Sequence, residues 1–235
     1  MNSTESGVYT RESPSPRYLE LIEMYESMHK DGRPDNARGP EKTFTGSSLR
    51  EHISLIAGLL NEMQAKTVLD FGAGKGALYF DAPGHDPDSR YKTLPEWGKA
   101  LVTCYDPGYE PFAADVEGPF DGVISTDVIE HIPEPDIAWF LDDMFAYASL
   151  FVYVVAACFP AGKKLPDGSN AHCTIRPPQW WNEQLKLASA RNPGVRWVLC
   201  AQEKSFFAFE NRKKLFRKGT RNVIFDSADK NAGNL

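Results

Sequence analysis

Val68-Leu69-Asp70-Phe71-Gly72-Ala73-Gly74-Lys75-Gly76-Ala77 is the stretch whose reading decides the fold. Thr67–Phe71 is a short apolar run, the pattern of a buried parallel strand, and it passes directly into glycines that open a helix. Gly72 and Gly74 permit a sharp turn and let a ligand reach main-chain atoms that a Cβ would shield. In an open α/β sheet such a loop lies at the carboxyl end of the first strand, where ligands bind. Working outward, Leu101–Tyr105 is a second strand-like run that ends at Asp106-Pro107-Gly108. Residues 122–126 form a third and precede a helical pattern over 136–148; residues 150–157, rich in Val, Phe and Tyr, form a fourth. Strands alternating with helices predict a mainly parallel sheet with helices on both faces. Residues 195–201 and 205–209, parted by a few polar residues, are predicted to pair as a C-terminal antiparallel hairpin.

Before the glycines, residues 17–30 carry a helical pattern with Leu19, Ile22, Met24 and Tyr25 as its apolar positions, and 31–42 read as a loop. Ser48-x-x-Glu51 has the form of a capping box that starts a second helix, whose stripe is Leu49, Ile53, Ile56, Leu60 and Met63. Residues 1–16, rich in Ser, Thr, Glu and Pro, read as loose. The 235 residues are 42% hydrophobic and 25% charged, which excludes wholesale disorder. A net charge of −6 argues against a protein that coats nucleic acid or an anionic membrane. The basic cluster Arg212-Lys213-Lys214, with Arg217, Lys218 and Arg221, reads as a solvated face or a contact for an anionic substrate. No apolar run approaches the roughly 20 residues of a membrane span, and no signal peptide is recognisable at the start. Cys104, Cys158, Cys173 and Cys200 form no C-x-x-C pair, so reduced thiols and a cytoplasmic location are expected, with Cys173 a small buried thiol.

Three ligand chemistries compete for the glycine loop. A phosphate-binding P-loop requires a hydroxyl after its lysine, and Lys75 is followed by Gly76. Gly72-x-Gly74-x-x-Ala77 matches the looser dinucleotide pattern, which also occurs in plain tight turns. The acid at Asp70 separates the cases, because a carboxylate repels a pyrophosphate and attracts a cation. Asp70 with Gly72-Ala73-Gly74 resembles the first motif of class I S-adenosylmethionine-dependent methyltransferases. The resemblance continues through Phe120-Asp121-Gly122-Val123-Ile124-Ser125-Thr126-Asp127-Val128-Ile129-Glu130-His131-Ile132-Pro133, and its matches span residues 67–157. It implies that Asp70, Gly72, Ala73, Gly74, Asp106, Thr126 and Asp127 bind S-adenosyl-L-methionine, with Asp106 on the ribose hydroxyls. Asp106 also reads as the start of an Asp-Pro-Gly turn, and both roles are compatible. Two departures stand out. Only 108–119 separates the second strand from Phe120, so the usual helix and third strand are abbreviated, and Asp115 is the acid named there for an adenine contact. Between Phe80 and Lys99 an extra surface excursion is expected.

Asp127, Glu130 and His131 are spaced i, i+3 and i+4, so a helix would put them on one face, and Asn170-Ala171-His172 can reach the same cleft. Four readings are open. Asp127-x-x-Glu130 is a capping box with His131 packed on the sheet. Alternatively His131 or His172 is the general base that takes a proton as the methyl transfers. A third reading makes Asp127, Glu130, His131 and His172 a divalent-metal site, which resembles the E-x-x-E-H arrangement of small-RNA 3′-end methyltransferases and of some quinone O-methyltransferases. The fourth is substrate binding without chemistry. Of Trp180 and Trp181, one is expected inside and one outside. Phe44 and Arg50 are candidate contacts from an N-terminal lid.

The expected architecture is α/β: a Rossmann-like, seven-stranded, mainly parallel sheet. Residues 1–45 form a loose or helical segment over the cleft, 46–211 the methyltransferase domain and 212–235 a polar tail. The resemblance implies in-line transfer of a methyl group to a small-molecule or glycan-like acceptor, with nucleic acid disfavoured. The competing classes are a nucleotide-dependent oxidoreductase and a methyltransferase-like protein that only binds a partner.

Overall fold

The computed structural model describes residues 8–32, 39–80, 94–207 and 217–228. Strands β1 (Thr67–Phe71), β2 (Leu101–Tyr105), β3 (Phe120–Thr126), β4 (Ala148–Ala157), β5 (Arg196–Phe207) and β6 (Arg217–Asp226) form one sheet in the order β2-β1-β3-β4-β5-β6. All neighbours pair in parallel except β5 and β6, which are antiparallel. The chain leaves β1 for β2 on one side and returns for β3 on the other. The crevice beyond the carboxyl ends of β1 and β3 is therefore the place where strand order reverses, the usual ligand position in such sheets.

Period-two alternation explains why both faces are covered. Along β4, Val152, Val154 and Ala156 join one buried cluster with α4 (Ile137–Tyr147) and α5 (Pro178–Arg191), through Phe140, Met144, Trp181 and Leu185. Phe151, Tyr153 and Val155 point the other way, into a cluster with Ile56, Leu59 and Leu60 of α2 (Ile53–Met63) and with Trp97. Leu185 is fully buried, and truncating such a leucine to alanine costs about 2–5 kcal/mol. A helix α1 (Pro16–Asp31) starts where Ser15 accepts from the Tyr18 N–H with Pro16 at the first turn, and it stops at Gly32, whose φ is 81°. A single-turn helix α3 (Ala77–Phe80) follows the glycine loop.

Several expectations are corrected. The described residues hold six strands, not seven: between β2 and β3 the chain forms only a 3₁₀ turn at Glu110–Phe112, in a segment interrupted by Pro107, Pro111 and Pro119. The sheet does end in an antiparallel pair, but its arms are not the expected ones. β5 runs unbroken through both of the supposed arms, and its partner β6 lies in what reads as the polar tail. β4 accompanies β5 only as far as Gln202, so the polar residues beyond belong to a two-stranded ribbon in which Glu203 faces Arg221. Phe209 and 212–214 lie outside the described residues.

The Ser48–Glu51 capping box is absent as well. Ser47–Glu51 is a 3₁₀ turn, α2 begins at Ile53, and the Ser48 hydroxyl donates to the Thr126 carbonyl at 3.5 Å. Residues 8–15 are tied down rather than loose. Arg11 reaches Asp143 at 2.9 Å, and the buried Asp136 carboxylate accepts from the Ser15 N–H at 2.8 Å, the Ser15 hydroxyl at 2.5 Å and Trp139 Nε1 at 2.9 Å. Of the expected excursion, 81–93 lies outside the described residues, while Leu94 and Trp97 are buried and Trp97 Nε1 donates to the Ile53 carbonyl. Cys173 is exposed, not buried. As expected, the two tryptophans divide, Trp181 fully buried and Trp180 partly so. No helix among the described residues is long and apolar enough to cross a membrane.

Candidate functional site

A cavity of about 590 Å³ opens at the carboxyl ends of the first strands, with Gly72 and Gly74 after β1, Asp106 after β2, and Thr126 and Asp127 at the end of β3 in its wall. Its roof comes from elsewhere in the chain. Tyr25 and His29 of α1, Phe44 of the following segment, and Phe159, Lys163 and His172 from the stretch after β4 all face it. The roof has its own small core of Leu21, Met28, Leu165 and Ala171. Arg17 ties it across by donating to Asp167 at 2.8 Å, and the Lys163 ammonium lies 4.6 Å from the centre of the Phe44 ring.

The glycine loop is packed against this roof. Gly74 has φ 57°, and a Cβ there would overlap the Phe44 carbonyl oxygen; a Cβ on Gly46 would lie 2.7 Å from the Ala73 carbonyl oxygen. The glycines therefore serve the approach of one backbone to another, in addition to any approach of a ligand. Every N–H in the loop has a partner within the protein. Gly72 and Ala73 donate to the Tyr105 carbonyl, Lys75 to that of Phe44, Gly76 to that of Ala73 and Ala77 to that of Thr45. Gly74 donates to Asp106 Oδ2 at 2.8 Å, and Gly108 to Asp106 Oδ1 at 3.0 Å. These two bonds hold the Asp106 carboxylate at the cavity wall, where burial raises its pKa and the two N–H groups oppose the rise.

Asp70 is placed differently from the expectation. It is buried away from the cavity lining, accepts from the Tyr79 hydroxyl at 2.8 Å and leaves Oδ1 without a partner. Burial pushes its pKa up to about 7, with Tyr79 opposing and Asp106 adding. Ala73 likewise does not line the cavity. Asp115 is exposed and ion-paired with Arg11, and Arg50 is exposed; neither lines the cavity.

Asp127, Glu130 and His131 do not share a helix face. Asp127 has φ 56°, a left-handed conformation uncommon outside glycine, and Ile129–His131 is a 3₁₀ turn with no side-chain cap. Asp127 keeps a buried, unpartnered Oδ1, and burial pushes its pKa up to about 6 against the pull of Lys163. Glu130, His131 and His172 do converge, with ligand atoms within 4.8 Å of one another; Asp127 is not in that group. His172 Nε2 is 3.9 Å from Glu130 Oε1, and the two imidazole rings meet edge to face at 4.8 Å. His172 Nδ1 lies 2.6 Å from the Phe159 carbonyl and His131 Nδ1 2.9 Å from the Ala171 carbonyl. A carbonyl only accepts, so each Nδ1 carries the hydrogen and each Nε2 keeps a bare lone pair. Glu130 Oε1 accepts from the Ala157 N–H at 3.2 Å while Oε2 is buried without a partner. Burial, then Asp127, raises the Glu130 pKa well above the usual carboxylate range; burial also holds both histidines below theirs. Both imidazoles are therefore neutral near pH 7, each with its lone pair at Nε2.

Tyr25, His29, Phe159 and Lys163 were not singled out as site residues from the sequence. Tyr25 and His29 are four apart on α1, a spacing that marks one helix face without saying what that face covers. No protein-family model matches the chain, and no curated protein does.

Proposed function

We propose that the chain is an S-adenosylmethionine-dependent methyltransferase of Rossmann-like class I architecture that acts on a small-molecule or glycan-like acceptor. The observation that carries this reading is the state of the glycine loop. Its N–H groups are all engaged within the protein, and the carboxylates beside it, Asp106 and Asp127, face the cavity. A dinucleotide needs free N–H donors for its pyrophosphate and is repelled by carboxylates, whereas a cationic nucleoside is attracted.

Each Asp106 oxygen already accepts one N–H and retains a lone pair for a ribose hydroxyl. Thr126 and Asp127, at the end of β3, face the same cavity and are assigned to the amino-acid portion of the cofactor. S-adenosylmethionine supplies a methyl group already activated by its positive sulfur. The chain's task is then to align the acceptor, exclude water beneath the roof and take a proton where the acceptor is protonated. His131 or His172 takes that proton at Nε2, since both are neutral and face the cavity. A roofed cavity of about 590 Å³ has the size of a small-molecule site.

Calorimetric titration with S-adenosylhomocysteine and with NAD tests this. Micromolar binding of the first, weakened about tenfold or more in Asp106→Asn, is expected; binding of NAD alone refutes the reading, and binding of neither leaves a partner-binding protein.

A second reading is favoured by the convergence of Glu130, His131 and His172. Two imidazole nitrogens and the Glu130 carboxylate, whose Oε2 is unpartnered, are a chemically suitable donor set for a divalent cation, which would act as a Lewis acid on an acceptor hydroxyl. Activity raised by Mn²⁺ or Mg²⁺ and abolished by EDTA supports it; indifference to both removes it.

A further inference from the structure

We propose that Asn170 is a positioning residue for His172, one whose side-chain amide holds the arm that carries the Phe159 carbonyl against the arm that carries the imidazole. This rests on His172 being a site residue, as assigned above, and adds what fixes its place in the cavity wall.

After β4 the chain folds back on itself. The Leu165 N–H donates to the Ser169 carbonyl at 2.9 Å, Lys164 and Asn170 form an antiparallel bridge, and the Ala171 N–H donates to the Lys163 carbonyl at 3.2 Å. Below that step the backbone pairing stops and the Asn170 side chain takes over. Its Oδ1 accepts from the Ala161 N–H at 3.0 Å and from the His172 N–H at 3.0 Å, while its Nδ2 donates to the Ala161 carbonyl at 2.9 Å. The two bonds to Ala161 are the exchange that facing residues make in an antiparallel ladder, here made by a side-chain amide in place of a peptide. Each bond has its direction settled by its partner. An N–H only donates and a carbonyl only accepts, so the oxygen and nitrogen of the amide have one arrangement.

Among the described residues, the Ala161 N–H, the Ala161 carbonyl and the His172 N–H meet no other protein partner. Thr174 anchors the His172 arm separately, its N–H on the Glu130 carbonyl at 3.0 Å and its hydroxyl on the Ile132 carbonyl at 2.7 Å. Neither bond reaches the opposite arm. At the base of the hairpin the arms are joined by Asn170 and by the Phe159 carbonyl, which faces His172 Nδ1 at 2.6 Å. Phe159 is two residues from Ala161 and His172 two from Asn170, so the amide sets the separation that this second bond spans. Ala161 and His172 line the cavity and Asn170 does not. It is therefore an outer partner, aiming a ring whose Nε2 stands 3.9 Å from Glu130 Oε1. Misplacing a reacting group by about 1 Å costs on the order of 100-fold in rate.

The test uses imidazole and amide ¹H–¹⁵N spectra of the full chain at about pH 7.5, where the ring is neutral, with the His172 ring signals identified by their loss in His172→Asn. In the wild type the His172 Nδ1 proton is expected far downfield and slow to exchange, its acceptor being 2.6 Å away, and the Ala161 and His172 amides are expected to be protected. In Asn170→Ala the ring signal should broaden beyond detection, and the two amides should exchange about tenfold faster or more. Ser169→Ala, which removes a hydroxyl bonded to Asp167 and Arg17 at the tip of the same hairpin, should leave all of these signals as in the wild type. A hairpin that is merely loosened would respond to both changes alike. Unprotected Ala161 and His172 amides in the wild type overturn the proposal even if Asn170→Ala fails to fold. A His172 ring signal unchanged in folded Asn170→Ala, or lost equally in Ser169→Ala, overturns it as well. S-adenosylhomocysteine is titrated into the same wild-type sample; should it not bind while the signals are as stated, the methyltransferase assignment fails and the Asn170 arrangement stands.

Discussion

Replacing Gly74 by alanine separates two reasons for a glycine at that position. The new methyl group would overlap the Phe44 carbonyl oxygen, a backbone atom that cannot rotate away, and the residue would keep φ near 57°. A left-handed non-glycine residue costs about 1–2 kcal/mol. Displacing Phe44 also loses the Lys75 N–H bond to its carbonyl, now 2.7 Å, worth about 0.5–1.5 kcal/mol. The stiffer unfolded chain returns about 0.4–1 kcal/mol. The net cost is about 1–2.5 kcal/mol. With a urea dependence of about 1–3 kcal/mol per molar, the unfolding midpoint should fall by roughly 0.5–1.5 M. Because the Gly74 N–H also holds Asp106, the same variant should bind S-adenosylhomocysteine more weakly. If the midpoint is unmoved and binding alone is lost, the glycine serves only the ligand and the packing of the roof on the loop is wrong.

Asp70→Asn should change the pH dependence of stability. Burial raises the native pKa to about 7, against about 3.9 in the unfolded chain, so between those values the native state holds more protons. Wild-type stability therefore falls as pH rises through that window and does not recover above it. The variant escapes this, and its advantage should grow by about 2–3 kcal/mol between pH 5 and pH 8, measured by urea unfolding; a constant difference would contradict a raised Asp70. Gly58→Ala, at an exposed position of α2 with nothing within 4 Å of the new methyl group, should raise stability by about 0.5–1 kcal/mol, visible as a higher midpoint.

Local patterns were legible where they report local structure. The apolar runs at β1 to β4 carry a period and end in turn residues, and the helical patterns of α1 and α4 hold to within a residue or two. The arms of the C-terminal pairing were not legible, because Gln202-Glu203-Lys204 has the composition of a turn, and from Glu203 onward β6 is the only strand partner. Nor was the Ser48 cap: the serine instead spends its hydroxyl on Thr126, a contact with the sheet. At the site, the spacing of Asp127, Glu130 and His131 suggested one helix face, but the positive φ of Asp127 breaks the helix and turns that residue away from the cluster. Glu130, His131 and His172 still meet because the segment after β4 folds back and places the Ala171 carbonyl on His131.

The cover over the cavity is held by contacts between distant parts of the chain. Arg17 and Asp167 are 150 residues apart, and the Leu21–Met28–Leu165–Ala171 cluster joins segments on either side of β1 to β4. Closing such large loops gains nothing until the intervening sheet exists to bring their ends together, so these contacts form late in folding. They also bury few side chains, which puts their opening at the low end of the stability scale. Amide exchange should accordingly be faster at Met28 and Ala171 than at Val152 or Val154, and binding competence should appear after the central strands are already protected.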